Sequence, residues 1–173
     1  MARPFMAGHD GQNQTSSCPS GHSKGGNMSQ TYYKLWIHLI WGTKNRQPFM
    51  QKEIRWKIFD HINKKAKQEG YYLDTINGVA DHVHCLLLLQ PRYSVSEVVN
   101  KLKGESSHWI NDEKITPTRF VWQGGFAAFS VSESQVGRVR AYIQNQERHH
   151  QRMTFQFEAQ RFLKLYDVTT ERA

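Results

Sequence analysis

Apolar residues recur with two different periods between residues 31 and 166, and these periods predict alternating strands and helices. Alternating apolar positions predict a strand over residues 33–41, and three further strands are predicted over residues 71–79, 82–90 and 127–131. Apolar positions spaced three or four apart predict helices over residues 51–69, 94–111 and 132–150, and a short helix over 155–165. The order is β-α-β-β-α-β followed by helices, so we expect an α+β domain.

The boundaries of these elements refine the predicted sheet. Ala80 and Asp81 form a short turn, which makes the strands on either side of it antiparallel neighbours. The strand that follows is apolar on both faces after His84, so it belongs at the sheet centre. Capping boxes are predicted ahead of the second and third helices, at Ser94 with Glu97 and at Ser132 with Gln135. Together these features predict a ferredoxin-like or RRM-like split β-α-β antiparallel sheet with helices on one face and a further C-terminal helix.

Residues 1–28 differ from the remainder of the chain in composition. They are rich in Gly, Ser, Asn and Gln and show no apolar period, which is typical of a disordered leader or of an extension added for expression. Met28 is a second potential start. We therefore expect the folded domain to span residues 29–173.

Charge and cysteine content narrow the classes of function. The chain has 23 Lys and Arg residues against 15 Asp and Glu residues, which gives a net charge of +8. A positive charge of this size favours binding to polyanions, of which nucleic acid is the first candidate. Cys18 and Cys85 are too few for a disulfide framework or a four-thiolate zinc site. The longest apolar run, residues 85–89, is far shorter than the roughly 20 residues of a membrane span. We expect a cytoplasmic protein without a membrane partner.

Two histidines two positions apart are the first candidates for chemistry. His82 and His84 lie on the predicted central strand and project from one face of it, while Val83 and Cys85 face the other side. Two imidazoles side by side on an apolar strand are costly unless they bind something. The alternative is a pair of surface or hydrogen-bonded core histidines, because histidine is intermediate in burial.

Tyr142 and Gln146 are the second candidates, four residues apart and on one face of the predicted third helix. Two imidazoles and one amide oxygen would leave open positions on a divalent cation, as a Lewis acid acting on a phosphate oxygen requires. A tyrosine one turn from the amide would reach the same phosphate, whereas a tyrosine by itself is more often a packing residue. His149 and His150 are candidates for proton transfer, and three polar residues receive no role: His38, Asp81 and His108.

Four segments together resemble a known family of enzymes. They are, in this order, LWIHLIWGTKNR, NGVADHVHCLLLL, VWQGGFAAFSVSES and YIQNQERHH, and the resemblance covers roughly residues 31–166. They resemble the HUH single-tyrosine transposases of the insertion sequence 200/605 type, including the REP-associated tyrosine transposases. The resemblance implies that His82 and His84 are metal ligands, that Gln146 is the third ligand, and that Tyr142 is the catalytic nucleophile on a C-terminal helix. Ala80 departs from the pattern, since many relatives have Pro there, and this changes the turn rather than the ligands.

The resemblance also implies a reaction. In this family a divalent metal, Mg²⁺ or Mn²⁺, polarises the scissile phosphate of single-stranded DNA while the tyrosine attacks, which leaves a 5′-phosphotyrosine and a 3′-hydroxyl. Two neutral imidazoles and an amide add no negative charge, so the cation stays strongly electrophilic. Because these ligands are softer than carboxylates, we expect Mn²⁺ to serve at least as well as Mg²⁺. Zn²⁺ is a third candidate for the metal.

The resemblance implies partners as well. Family members bind DNA hairpins at element ends, and most are homodimers in which the tyrosine helix of one subunit lies against the histidines of the other. We therefore expect single-stranded DNA with a hairpin as substrate, a homodimer, and association with the nucleoid. The residues expected to contact DNA are basic or polar, although such a charge run is also typical of a solvated face: Lys52, Lys57, Lys64, Lys65, Gln123, Arg138, Arg140 and Arg148.

Three other functions remain open at this point. A domesticated REP-associated relative would perform the same chemistry on genomic palindromes. A catalytically silent binder of single-stranded nucleic acid would use an RRM-like sheet, but the chain lacks the RRM signature and keeps all four proposed catalytic residues. A metal-dependent phosphoesterase would use the two histidines without Tyr142.

Overall fold

A computed structural model describes residues 32–151 and 153–168, which form one four-stranded sheet and five α-helices. The strands are β1 (Leu35–Gly42), β2 (Tyr72–Gly78), β3 (His82–Leu89) and β4 (Ala127–Val131). The helices are α1 (Lys52–Gln68), α2 (Val95–Asp112), α3 (Val136–Gln144), α4 (Gln146–His150) and α5 (Phe155–Leu165). None of the helices in these ranges is long and apolar enough to cross a membrane. The leader predicted over residues 1–28 lies outside the described residues.

The sheet is antiparallel throughout, in the order β2-β3-β1-β4. β3 lies between β2 and β1, which confirms the central position predicted from its apolar faces. In the register of β1 and β3, Ile40 is opposite His84 and Leu39 is opposite Cys85. This order, joined by two helical crossovers, is the ferredoxin-like split β-α-β arrangement expected from the sequence.

Helices cover both faces of the sheet, and their division decides where the histidines lie. α1 and α2 pack on one face, as predicted, where Ile58 and Leu102 join Cys85 in the main core cluster. The C-terminal helix α3 packs on the other face, where Ile143 joins Leu86 in a smaller cluster. Because side chains alternate along a strand, the two histidines of β3 share the face covered by α3.

The two predicted capping boxes have different outcomes. At α2 the box forms: Ser94 Oγ accepts the Glu97 backbone N–H at 3.1 Å, and the Glu97 carboxylate accepts the Ser94 N–H at 3.5 Å. At α3 the prediction is wrong. The Gln135 N–H that Ser132 Oγ would accept donates to the Ser132 carbonyl at 2.9 Å. The intervening residues form a 3₁₀ turn, and α3 begins after it.

The third helix is shorter than predicted because it breaks at Asn145. The Asn145 side-chain amide donates to the Ala141 carbonyl at 2.7 Å, and the Asn145 backbone N–H shares that carbonyl. A polar side chain that competes for helix carbonyls in this way favours a helix end. Tyr142 therefore lies in the last turn of α3, whereas Gln146 begins α4, so the prediction of one helix for both residues is corrected.

Candidate metal and tyrosine site

His82 and His84 are fully buried on β3, and each ring is held through its Nδ1 atom. His82 Nδ1 lies 2.7 Å from Asp81 Oδ1, and His84 Nδ1 lies 3.0 Å from Nε2 of His38 on β1. A partner at Nδ1 fixes the orientation of an imidazole and leaves Nε2 for a different partner. The sheet therefore presents two Nε2 atoms side by side on the face covered by α3.

Two buried polar atoms beside this pair have no hydrogen-bond partner. They are Nε2 of His84 and Oε1 of Gln146, whose side chain is also fully buried. An unsatisfied buried polar group costs roughly 1–3 kcal/mol. Imidazole nitrogen and amide oxygen are ordinary ligands of divalent cations. The donor set of His82, His84 and Gln146 thus fits a divalent metal ion.

A carboxylate from α5 enters the same cluster. Glu158 is 2% exposed. Its Oε2 atom lies 3.1 Å from His150 Nε2 and 3.5 Å from the Nε2 atoms of both His82 and His84. The ligand-type atoms of these four residues all lie within 4.8 Å of one another. Glu158 therefore adds a carboxylate to a group of three histidines.

Tyr142 faces the histidines from α3. Its ring centroid lies 5.9 Å from that of His84, and its hydroxyl donates a hydrogen bond to Glu158 Oε1. His149 Nε2 lies 3.3 Å from the same hydroxyl oxygen. A single chain therefore brings Tyr142 and the metal-type donors together, without a contribution from a second copy.

Burial sets the charge of the inner histidines. It lowers the pKa of His84 to about 4 and the pKa of His38 to about 3, so both rings are neutral at pH 7. A free lone pair on His84 Nε2 then requires the ring proton on Nδ1, which donates it to His38 Nε2. His82 differs: burial opposes its charged form, but its hydrogen bond to Asp81 and the nearby Glu158 carboxylate raise its pKa.

Glu158 and Tyr142 also have shifted pKa values. Burial opposes ionisation of Glu158, yet the hydrogen bond with His150 and the proximity of His82 and His84 hold its pKa well below the usual range. Burial, together with the hydrogen bond to Glu158, raises the pKa of Tyr142 well above its ordinary value. Tyr142 is thus a neutral phenol at rest, and its activation as a nucleophile requires a proton acceptor or a cation.

The lysines predicted to contact DNA lie on α1, on the face of the sheet opposite the histidines. Lys52 and Lys57 are exposed. Lys64 pairs with Asp60 at 2.7 Å, and Lys65 lies 3.7 Å from Glu105. These four side chains therefore do not line the metal-type cluster, and their contact with DNA stays a prediction.

The remaining predicted DNA contacts lie nearer the cluster. Arg138 and Arg148 are exposed on α3 and α4, and Gln123 is exposed in the loop before β4. Arg140 makes a bidentate ion pair with Asp74 of β2, at 2.7 and 2.8 Å. The Arg140 guanidinium is therefore engaged within the protein, and the Gln123 amide oxygen accepts the Asn45 backbone N–H at 3.1 Å. Arg138 and Arg148 are exposed to the solvent.

Three residues of the cluster received no role from the sequence: Glu158, His38 and Asp81. Asp81 directly precedes His82, and His38 interrupts the apolar pattern of β1, so each had a local signal. No local sequence pattern marked Glu158, because only the folding of the chain brings α5 to the histidines. His150, considered only for proton transfer, contacts both His82 and Glu158.

Comparison with known proteins identifies the family. The family profile described as "Transposase IS200 like" matches residues 31–146, more than half of the chain. The chain is 29% identical over 120 residues to the ISDra2 transposase TnpA of Deinococcus radiodurans, covering 66% of this chain and 85% of that protein. It is 24% identical over 125 residues to the transposase for insertion sequence element IS200 of Salmonella typhimurium, covering 69% and 81%.

Solved structures share the fold. A putative transposase from Deinococcus radiodurans R1 has a TM-score of 0.55 at 29% identity, covering 72% of this chain and 98% of that one. A REP-associated tyrosine transposase bound to a REP hairpin has a TM-score of 0.54 at 16% identity, covering 72% and 74%. The chain belongs to the IS200-like transposase family, which confirms the resemblance seen in its sequence. The matched segment ends at Gln146 and therefore excludes α5.

Proposed function

We propose that this protein is a metal-dependent transposase that cleaves and rejoins single-stranded DNA, with Tyr142 as the nucleophile. The observation that carries the proposal is the position of Tyr142 beside the buried donors His84 and Gln146, in a chain of this family. A covalent phosphoryl transfer needs a nucleophile and a site that stabilises charge on the phosphate. Tyr142 and the adjoining donor set would supply both.

The proposed step forms one bond and breaks one. The Tyr142 oxygen bonds to the scissile phosphorus while the bond from phosphorus to the 3′ oxygen breaks, so a 5′-phosphotyrosine forms. The phenolic proton passes to His149, whose Nε2 atom lies 3.3 Å from the hydroxyl oxygen. The departing strand takes up a proton and ends in a 3′-hydroxyl. Attack by a 3′-hydroxyl on the phosphotyrosine reverses the step and rejoins DNA without ATP.

The proposed cofactor is Mg²⁺ or Mn²⁺, held by His82, His84 and Gln146, and it would polarise the scissile phosphate and stabilise its negative charge. The protein's own task is to hold these donors and the nucleophile in place. β3 carries the two histidines, α4 carries Gln146, and α3 carries Tyr142. Rigid elements rather than loops therefore support every proposed catalytic group, as accurate positioning requires.

We further propose that the substrate is single-stranded DNA with a hairpin and that the working form is a homodimer. A relative of the same fold is bound to a REP hairpin, and a net charge of +8 favours contacts with the phosphate backbone. A groove lined by Arg138, Tyr142 and Arg161 leads to the proposed nucleophile. We propose this groove as the path of the strand, in a protein that works at the nucleoid. Both element ends and genomic palindromes would suit the same chemistry.

A denaturing gel tests the reaction class. The protein is incubated with Mn²⁺ and labelled single-stranded oligonucleotides from the DNA that flanks its gene. We expect a covalent protein–DNA band with the wild type and with the control Tyr33→Phe, which alters an exposed tyrosine. Tyr142→Phe and the metal-free protein should give no band. Cleavage that persists in Tyr142→Phe would identify a phosphoesterase instead, and binding without an adduct would identify a silent binder.

A further inference from the structure

Glu158 lies at the centre of the cluster, although no ligand set inferred from the sequence includes it. The family match ends at Gln146, and Glu158 is on α5, beyond that segment. Its carboxylate nevertheless faces His82, His84, His150, Gln146 and Tyr142, and it is 2% exposed. A carboxylate with so little exposed surface is costly unless hydrogen bonds and a positive charge compensate it.

The distances around Glu158 are close to those between ligands of one cation. Its Oε2 atom lies 3.1 Å from His150 Nε2, an ordinary hydrogen-bond length. The same atom lies 3.5 Å from the Nε2 atoms of His82 and His84, which is too long for a good hydrogen bond. Ligands that share a cation at about 2.1 Å, with angles of about 90–110°, are separated by roughly 3.0–3.4 Å. The spacing of Glu158 from the two histidines is close to that expected for co-ligands.

Charge favours the same role. Two neutral imidazoles and an amide would leave both positive charges of a buried divalent cation uncompensated, which is unfavourable at low dielectric. One carboxylate would halve that charge and add the oxygen ligand that Mg²⁺ and Mn²⁺ prefer. Glu158 can supply this carboxylate. Its ligand atom and those of His82, His84 and His150 all lie within 4.8 Å of one another.

We propose that Glu158 is a further metal ligand, so that the site is formed by His82, His84, Gln146 and Glu158 and couples α5 to the bound cation. This inference rests on the metal site of the proposed function. His150 would donate a hydrogen bond to the metal-bound carboxylate and orient it, as groups adjoining a ligand commonly do. The helix beyond the family segment would then be part of the active site rather than an appendage.

Binding of Mn²⁺ alone, measured without DNA by the electron paramagnetic resonance of the free ion, tests the inference. We expect Glu158→Gln, which keeps the shape of the side chain and removes its charge, to raise the dissociation constant for Mn²⁺ about tenfold or more. Glu158→Asp keeps the charge on a shorter side chain and should give an intermediate value. The control Glu113→Gln removes an equal charge at an exposed position after α2, on the opposite face of the sheet, and should bind as the wild type does.

His84→Ala separates this inference from the proposed function. If His84→Ala abolishes Mn²⁺ binding and Glu158→Gln binds normally, Glu158 is not a ligand and the metal site stands. If His84→Ala also binds normally, the metal site itself is wrong.

Amide hydrogen exchange of the wild-type protein supplies a readout that needs no variant to fold. We expect Mn²⁺ to slow exchange in α5 as well as in β3, because the cation would join the two elements. Protection of β3 without any protection of α5 would overturn the role of Glu158.

Discussion

At the scale of single residues, the two histidines of the site differ in what holds them. His82 is bonded to the carboxylate of Asp81, whereas His84 is bonded to the neutral ring of His38. A carboxylate makes a ligating ring more basic, while a neutral acceptor only fixes its tautomer. His38 is therefore a positioning residue, which holds the proton of His84 on Nδ1 and leaves Nε2 free for a cation.

Replacement of His38 tests this positioning role. His38→Phe keeps a planar ring but removes the acceptor, so we expect the affinity for Mn²⁺ to fall about 10- to 100-fold. His38→Gln restores an acceptor and should recover part of that loss. Calorimetric titration with Mn²⁺ measures the affinity of both variants. His108→Gln is the control, because His108 is exposed on α2. Wild-type affinity in His38→Phe would contradict the role.

The candidate site could be predicted from sequence only where a local spacing reports it. His82 and His84 are two apart on a strand, and Tyr142 and Gln146 are four apart, so each pair has a pattern of its own. His38 required the register of β1 against β3, which no local pattern gives. Glu158 required the packing of α5 against the sheet, a contact between distant parts of the chain.

At the scale of elements, α3 carries the proposed nucleophile and is held to the sheet in two ways. Ile143 is fully buried against Trp36 and Leu86. Arg140 forms its bidentate pair with Asp74 of β2, and the two side chains are 40% and 11% exposed. Bidentate geometry adds specificity to an ion pair. Arg140 is therefore expected to orient α3 on the sheet rather than to bind DNA.

Paired substitutions test this role of Arg140. We expect Arg140→Gln and Asp74→Asn each to lower the free energy of unfolding by about 0.5 kcal/mol, since solvent screens a partly exposed pair. The double variant should lose less than the sum, because both changes remove one interaction. Arg138→Gln, on the same helix but exposed, should leave stability unchanged and weaken binding of single-stranded DNA. Urea unfolding and a filter-binding assay measure the two effects. Additive losses of stability would rule out the pairing.

The elements show why the fold was largely predictable and the helix ends were not. The period of the apolar residues depends on which face of a strand or helix is buried, so it can be read directly from the sequence. Helix capping depends on where a single backbone N–H donates. The Glu97 N–H donates to the Ser94 hydroxyl, whereas the Gln135 N–H donates to the Ser132 carbonyl. A motif of the correct spacing therefore formed at α2 and failed at α3.

At the scale of the whole molecule, the site is complete within one chain, although the family resemblance implies exchange of the tyrosine helix between subunits. Tyr142 contacts Glu158 of its own chain, and α3 buries Ile143 on its own sheet. Moving α3 to a partner would expose this apolar surface and break the pair of Arg140 with Asp74, unless the partner replaced both. We therefore expect Tyr142 to act on the metal site of its own subunit.

Mixing of two inactive variants distinguishes the two arrangements. Tyr142→Phe retains the metal donors and lacks the nucleophile, whereas His84→Ala retains the nucleophile and lacks a donor. If the tyrosine acts within its own subunit, every subunit of a mixed dimer is defective, and co-refolded variants should yield no covalent adduct with DNA. Light scattering at micromolar concentration must first show that a dimer forms. Adduct formation in the mixture, at a level that rises with the fraction of mixed dimers, would establish that the tyrosine crosses to the partner's site.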